Sequence, residues 1–380
     1  MKRIYPKLLF LSLIVIILYD TLYQMAGPVM FVLQMVILAL FVISIPRYIS
    51  KRGGDSFINK LLLLSLVFVI YYIFSEQSSR STVVLKSLLY SLLVAVPFYT
   101  QRFEVRQIKI FFWLLSFFCV AAFYFALTSM RSVDENAYGG GYLVLVALPL
   151  GLYNLRNRKI HIRVTWIVLI LICVVVSLKR GDILASGLGI LAYYASLLKA
   201  SSTKGKFKNF FWIAVMAFVF IAFANYFIGS SELAQTRMTK TQEGDSSNRD
   251  IIYAYYWNYF LSSPIDTKII GNGFSGTSFI WTGSSAHNDW LEILIDEGLI
   301  GIFFYVLVII SMIRLLIRRT IPDDYKPIIA MIVAIVLVKS FFSMMVFSLP
   351  TAILFALLGY MLNSQTIDNE YRKTNCFNKK

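Results

Sequence analysis

The sequence predicts an all-α integral membrane protein, with about twelve transmembrane helices and one large, partly helical extracytoplasmic loop. Three observations carry this. Of 380 residues, 58% are apolar and only 15% are charged, against about 25% charged in an ordinary soluble domain. The apolar residues fall in runs, and a hydrocarbon core about 30 Å thick takes about 20 helical residues to cross. The formal net charge of +16 comes from basic residues set between those runs. So much apolar surface excludes a soluble globular protein and a disordered chain. A basic balance points to nucleic acid only where it forms a surface patch, and here it is dispersed.

Taken in order, the candidate spans are 4–20, 28–46, 58–75, 83–100, 109–128, 139–154, 162–178, 182–198, 209–228, 290–313, 327–346 and 350–362. Nine therefore fall within residues 1–228. A loop over 229–286 follows, then three more within 287–362, then a tail over 363–380. The first run follows Lys2 and Arg3, as a signal peptide does, but no small-x-small cleavage site comes after it. It is read as a retained span.

Charge sets the orientation, because basic residues are kept on the cytoplasmic side. With the N-terminus inside and the loops alternating, 26 of the Lys and Arg residues fall inside and eight outside. Lys86 and Lys339 fall within spans. The acids go the other way, six inside and fourteen outside. Twelve spans keep this alternation at every loop and put both termini in the cytoplasm.

The loops are otherwise spare. Cys119, Cys173 and Cys376 show neither a metal-site spacing nor a pair in the outer loop. No phosphate-binding glycine loop and no H-E-x-x-H motif occur. The run Gly139-Gly140-Gly141 is read as a flexible or closely packed helix start. The exception is the loop 229–286, far longer than ordinary connections. Within it, Ser246-Ser247-Asn248 is placed to cap a helix near 249–261. That helix carries Tyr253, Tyr255, Tyr256, Trp257, Tyr259 and Phe260. It is either an amphipathic helix at the membrane interface or an aromatic wall for sugar rings or lipid. A Gly271-Asn272-Gly273 turn follows.

Two places hold candidate chemistry. His287 is one of only two histidines and sits on the outer face where a span begins. Its plain reading is a cap or interface residue. Asp289, Glu292, Asp296 and Glu297 follow within ten residues, and a carboxylate beside an imidazole orients it and raises its basicity. Arg180 lies in a turn with almost no loop, Ser177-Leu178-Lys179-Arg180-Gly181, and is pinned at the outer boundary. Snorkelling explains an arginine at a helix end. However, Lys86 and Lys339 fall in the outer halves of their spans, where ionisable groups usually face a polar cavity. Several cations at one depth outline an anion site, and guanidinium suits phosphate.

These features together resemble the O-antigen ligase and polymerase superfamily of bacterial membrane glycosyltransferases. The resemblance is carried by Ser177-x-x-Arg180-Gly181, Ser247-Asn248-Arg249 with downstream Trp257, Gly271-x-Gly273, and Ala286-His287-Asn288 leading to Glu297-Gly298-x-x-Gly301. It is best over residues 175–305. The turn departs from the usual Ser-Arg-Gly, because Leu178 and Lys179 intervene.

The resemblance implies a polyprenyl-diphosphate-linked oligosaccharide donor, an acceptor glycan, and neither cofactor nor metal. It implies His287 as catalytic base, Arg180, Arg249, Arg237, Lys339 and Lys86 as diphosphate-binding groups, and Asp289, Glu292 and Glu297 as supporting groups. Direct displacement would invert the anomeric carbon. The expected setting is the bacterial cytoplasmic membrane, with the site on its outer face and with membrane lipids, a chain-length regulator and a flippase as partners. Repeat-unit polymerisation is favoured because the chain is compact. Ligation to lipid A core or protein is the alternative, and a lipid-linked oligosaccharide flippase is the more distant one.

Overall fold

The computed structural model describes residues 4–23, 28–51, 54–76, 79–129, 141–200, 203–232, 234–236, 239, 248–280, 285–346, 348 and 350–363. Among them it contains helices and turns and no strand. The first ten helices are α1 (Ile4–Tyr23), α2 (Pro28–Ser50), α3 (Ser56–Phe74), α4 (Ser79–Leu93), α5 (Ala95–Thr100), α6 (Val105–Ser129), α7 (Gly141–Leu155), α8 (Ile160–Val176), α9 (Arg180–Ala200) and α10 (Thr203–Ser230). The segment after α10 contributes α11 (Arg249–Ser262), α12 (Ile265–Ile270) and α13 (Thr277–Ile280). The chain ends in α14 (Asp289–Asp296), α15 (Gly298–Ile317), α16 (Lys326–Phe342) and α17 (Pro350–Asn363).

Seven helical stretches among the described residues are long and apolar enough to cross a membrane: Phe31–Ser50, Ser56–Phe74, Ser81–Thr100, Val105–Phe125, Arg180–Lys199, Asn209–Ser230 and Gly298–Ile317. Shorter apolar helices are Tyr5–Ile16, Gly141–Leu155, Ile160–Val176 and Pro350–Asn363. The protein is thus an all-α membrane protein. Leu, Ile, Val and Phe on every side of a helix suit a solvent of acyl chains, where the backbone must satisfy itself internally. Helix α10 shows this most plainly, since Phe211, Phe218 and Ile221 face outward from the protein.

One expected element boundary is corrected. The span expected at 290–313 is broken, because α14 ends at Asp296 and α15 starts at Gly298. The break follows from Gly298, whose φ of +66° is left-handed and suits a residue without Cβ. Asn272 and Gly273 donate backbone N–H bonds of 2.9 Å to Ile295 O and Asp296 O. A side chain at Gly271 or Gly298 would collide with the other segment's backbone. The two glycine motifs are therefore one interlock. Helix α11 begins at Arg249, as expected, but without a side-chain cap from Asn248, which precedes it in a left-handed conformation with φ 62°. Ser246 and Ser247 lie outside the described residues.

Helices α9 and α16 pack along their lengths, α3 lies on α15, and α7 is flanked by α6 and α8. Polar ties join residues that the charge pattern assigns to one side. Lys51 reaches Tyr99 O and Asn363, Arg318 pairs with Asp55, and Arg156 pairs with Asp324. At the opposite end, Tyr71 donates to Glu297 O and Ser75 Oγ accepts from Phe274 N. That end carries the candidate site.

Candidate functional site

The C-terminal end of α16 is the hub. A helix leaves its last carbonyls without intrahelical donors, and these are taken up by the large loop. Phe342 O accepts from an Arg249 guanidinium nitrogen at 2.6 Å. Phe341 O accepts from Tyr253 Oη at 3.2 Å and from Asn288 Nδ2 at 3.1 Å. A cation at a helix C-terminus also complements the helix dipole. Arg249 and Tyr253 sit one turn apart on α11, so a single helical face docks there.

Asn288 ties the histidine segment to the same hub. Its Oδ1 caps α14 by accepting from Trp290 N and Leu291 N at 2.9 and 3.2 Å, while Nδ2 holds Phe341. Trp290 adds a ring stacked on Phe341, with centroids 5.2 Å apart, and an Nε1 bond to Ser340 Oγ. His287 is thereby fixed one residue before the helix cap, in a left-handed conformation with φ 51°. Its carbonyl accepts from Tyr253 Oη at 3.3 Å. The side chain is exposed, yet partly desolvated. That desolvation, and then the Arg249 charge, hold its pKa below the ordinary 6.5.

The acids that follow His287 make contacts of their own. Asp289, Glu292, Asp296 and Glu297 are all buried. Asp289 accepts from Val346 N at 3.2 Å and Tyr305 Oη at 3.3 Å. Glu292 accepts from Ala286 N at 2.6 Å and Thr277 Oγ1 at 2.8 Å. Asp296 accepts from Thr277 N at 2.7 Å. Glu297 joins α14 to α15, and its carbonyl accepts from Tyr71 Oη and Gly301 N. Buried carboxylates need such donors. The carboxyl groups of Asp289, Glu292 and Asp296 thus tie α14 to Val346, Tyr305, Ala286 and Thr277. The imidazole takes its electrostatic character from burial and a cation instead.

The turn at 177–182 closes the hub from the other side. Ser177 ends α8 and donates from Oγ to Val174 O at 2.6 Å. Leu178 is left-handed at φ 56°, and Lys179 O accepts from Asp182 N and Ile183 N to start α9. A methyl group at Gly181 would lie 3.5 Å from Phe342 Cβ, so the turn abuts the end of α16. Asp182, with no exposed surface, pairs through Oδ1 with Lys339 Nζ at 2.6 Å. Lys339 also lies 4.6 Å from the Tyr142 ring centroid. Any side chain at Gly141 would collide with Asp182 and Ser177. The closely packed helix start expected of the glycine run is seen at that residue.

Arg249, His287 and Lys339 therefore come together with the turn that carries the exposed Arg180. Lys339 is engaged by Asp182 rather than free for a ligand. Lys86 is half-buried over the Phe31 ring, 4.2 Å from its centroid, and makes no ion pair among the described residues. Arg237 lies outside the described residues. Three of the four left-handed non-glycine residues described, Leu178, Asn248 and His287, flank Arg180, Arg249 and the imidazole. Such conformations cost about 1–3 kcal/mol each and persist where the surroundings impose them. Among the described residues, no group of three or more His, Cys, Asp or Glu is arranged to hold a metal ion.

Sequence reasoning missed Asp182, Lys179 and the double role of Asn288. Asp182 had a signal: an acid at the mouth of a span, four residues from an apolar run, needs a buried partner.

Residues 165–306 match the family model described as O-Antigen ligase. The matched segment runs from α8 into α15 and contains the 177–182 turn, Arg249, His287 and the Glu297–Gly301 break. No curated protein matches the chain. The resemblance to the O-antigen ligase and polymerase superfamily thus holds over the segment that builds the hub.

Proposed function

We propose that this O-antigen ligase-type protein is a glycosyltransferase at the outer face of the bacterial cytoplasmic membrane. It moves a glycan from a polyprenyl-diphosphate carrier to an acceptor sugar, and the acceptor is a second carrier-linked repeat unit of O-antigen, capsule or exopolysaccharide. The observation that carries this reading is the convergence of Arg249, His287 and the Arg180 turn on the end of α16. Arg180 and Arg249 hold the anionic diphosphate and stabilise the charge that grows on it as the sugar departs. His287 accepts the proton of the attacking hydroxyl. Its lowered pKa keeps it neutral, and so able to act as a base, at pH 7. The acceptor oxygen forms the new bond to the anomeric carbon while the carbon–oxygen bond to the diphosphate breaks. Direct displacement inverts that carbon and needs neither metal nor cofactor.

The setting is twelve membrane crossings with both termini in the cytoplasm. The inside–outside charge count supports it, as do the same-side polar ties. Membrane lipids surround the bundle, and a flippase and a chain-length regulator are its functional partners.

A second reading, ligation of the finished glycan to lipid A core or protein, is favoured by the description of the matching family. It shares the chemistry and differs in the acceptor. Transport of a lipid-linked glycan would use the cations but would not need the imidazole. His287→Ala separates these. Transfer is expected to fall about a hundredfold or more, with normal amounts of protein in the membrane. Polymer of normal length in that variant overturns the assignment of the base.

A further inference from the structure

Lys179 is a half-buried basic residue that the transfer mechanism above leaves unused. It stands between Leu178, held left-handed, and Arg180, on the turn that abuts Phe342. Its ammonium has no hydrogen bond or ion pair among the described residues, although an ammonium carries three donors. The nearby carboxylate of Asp182 is already committed to Lys339 through Oδ1, at 2.6 Å. Arg249 and Lys339 both act electrostatically on Lys179. Among the described residues that act on Lys179, one carboxylate therefore faces three basic groups, an arrangement that favours an anionic ligand.

We propose that Lys179 binds the carrier's diphosphate together with Arg180 and Arg249, and that it makes the site prefer two linked phosphates to one. This rests on the carrier-diphosphate reading and extends it. A prenyl diphosphate joined to a sugar carries two negative charges, and departure of the sugar adds a third. A flexible point charge beside two planar guanidiniums suits the phosphate whose charge changes. Desolvation, and then the neighbouring cations, hold the Lys179 pKa below its ordinary value, with Asp182 opposing them. A bound anion removes that penalty, so binding at alkaline pH is expected to take up a proton.

The test uses the full chain in nanodiscs, with geranylgeranyl diphosphate and geranylgeranyl monophosphate as probes. Wild type is expected to bind the diphosphate at least about tenfold more tightly. Lys179→Met is expected to weaken diphosphate binding by about 10- to 100-fold, the worth of one charge-assisted contact, and to leave monophosphate binding unchanged. Lys179→Arg is expected to restore most of the difference. Unchanged diphosphate affinity in Lys179→Met, or equal loss for both probes, overturns the assignment. Calorimetry of the wild type in buffers of different ionisation enthalpy gives a mutation-free check, and absence of proton uptake across the alkaline range up to the ordinary lysine pKa also overturns it. If wild type binds neither probe, the carrier-diphosphate reading itself fails, which is distinguishable from loss of the Lys179 effect alone.

Discussion

At the scale of single residues, His287 shows why backbone and chemistry have to be separated. Its φ of 51° is left-handed, a region that Asn, Asp and His tolerate better than most residues. His287→Ala removes the base but also puts a residue that tolerates this conformation less well in its place. His287→Asn keeps the tolerated conformation and removes only the imidazole. Both variants are expected to lose transfer alike, measured as polymer made per amount of membrane protein. The pH dependence follows in sign. The folded pKa lies below 6.5, so the neutral base persists above it. Activity should fall as pH drops through that lowered value, and the acid limb should vanish in His287→Asn. Arg180→Lys keeps the charge but replaces the planar fork with a point charge. A drop of about tenfold or more in transfer is expected, and wild-type activity there would favour simple snorkelling.

At the scale of elements, the end of α16 works because several segments share two carbonyls. Asn288→Ala removes the cap of α14, worth about 1 kcal/mol, and also the Phe341 tie. It is expected to lower transfer while His287 itself is intact, with a fall of a few degrees in the unfolding midpoint. Loss of stability without loss of transfer would show that the tie does not position the histidine.

The limits of sequence reading are clearest at this scale. Arg180 and His287 stood out in the sequence because polar groups are conspicuous at the mouths of apolar spans, and Arg249 stood out through the family resemblance. The partner of Asp182 was not, since 157 residues separate it from Lys339 and periodicity says nothing of which helices meet. The contacts of the acids after His287 were illegible for a related reason. Nearness in sequence suggested an orienting carboxylate, but the first turn of α14 points Asp289 and Glu292 toward Val346 and Thr277. The break at 297 was hidden inside an apolar run, and only the Gly271–Gly298 contact explains it.

At the scale of the whole molecule, the proposed topology makes the +16 charge chiefly an orientation signal, with the cations of the hub left over. All-α architecture was legible from composition and run length. The packing of α9 on α16 was not. The topology predicts that a cysteine introduced by Gln242→Cys reacts with an impermeant thiol reagent added to intact cells or spheroplasts. Protection until the membrane is opened would invert the orientation and remove the hub from the outer face.

The central claim is carrier-dependent glycan transfer at the hub, and reconstitution tests it most directly. Purified protein is incubated with a polyprenyl-diphosphate-linked repeat unit alone, and the products are separated by size. A ladder of repeat-unit multiples, with release of polyprenyl diphosphate and with inverted linkages, is the predicted result. Unchanged substrate under those conditions, with or without an added acceptor glycan, would contradict it.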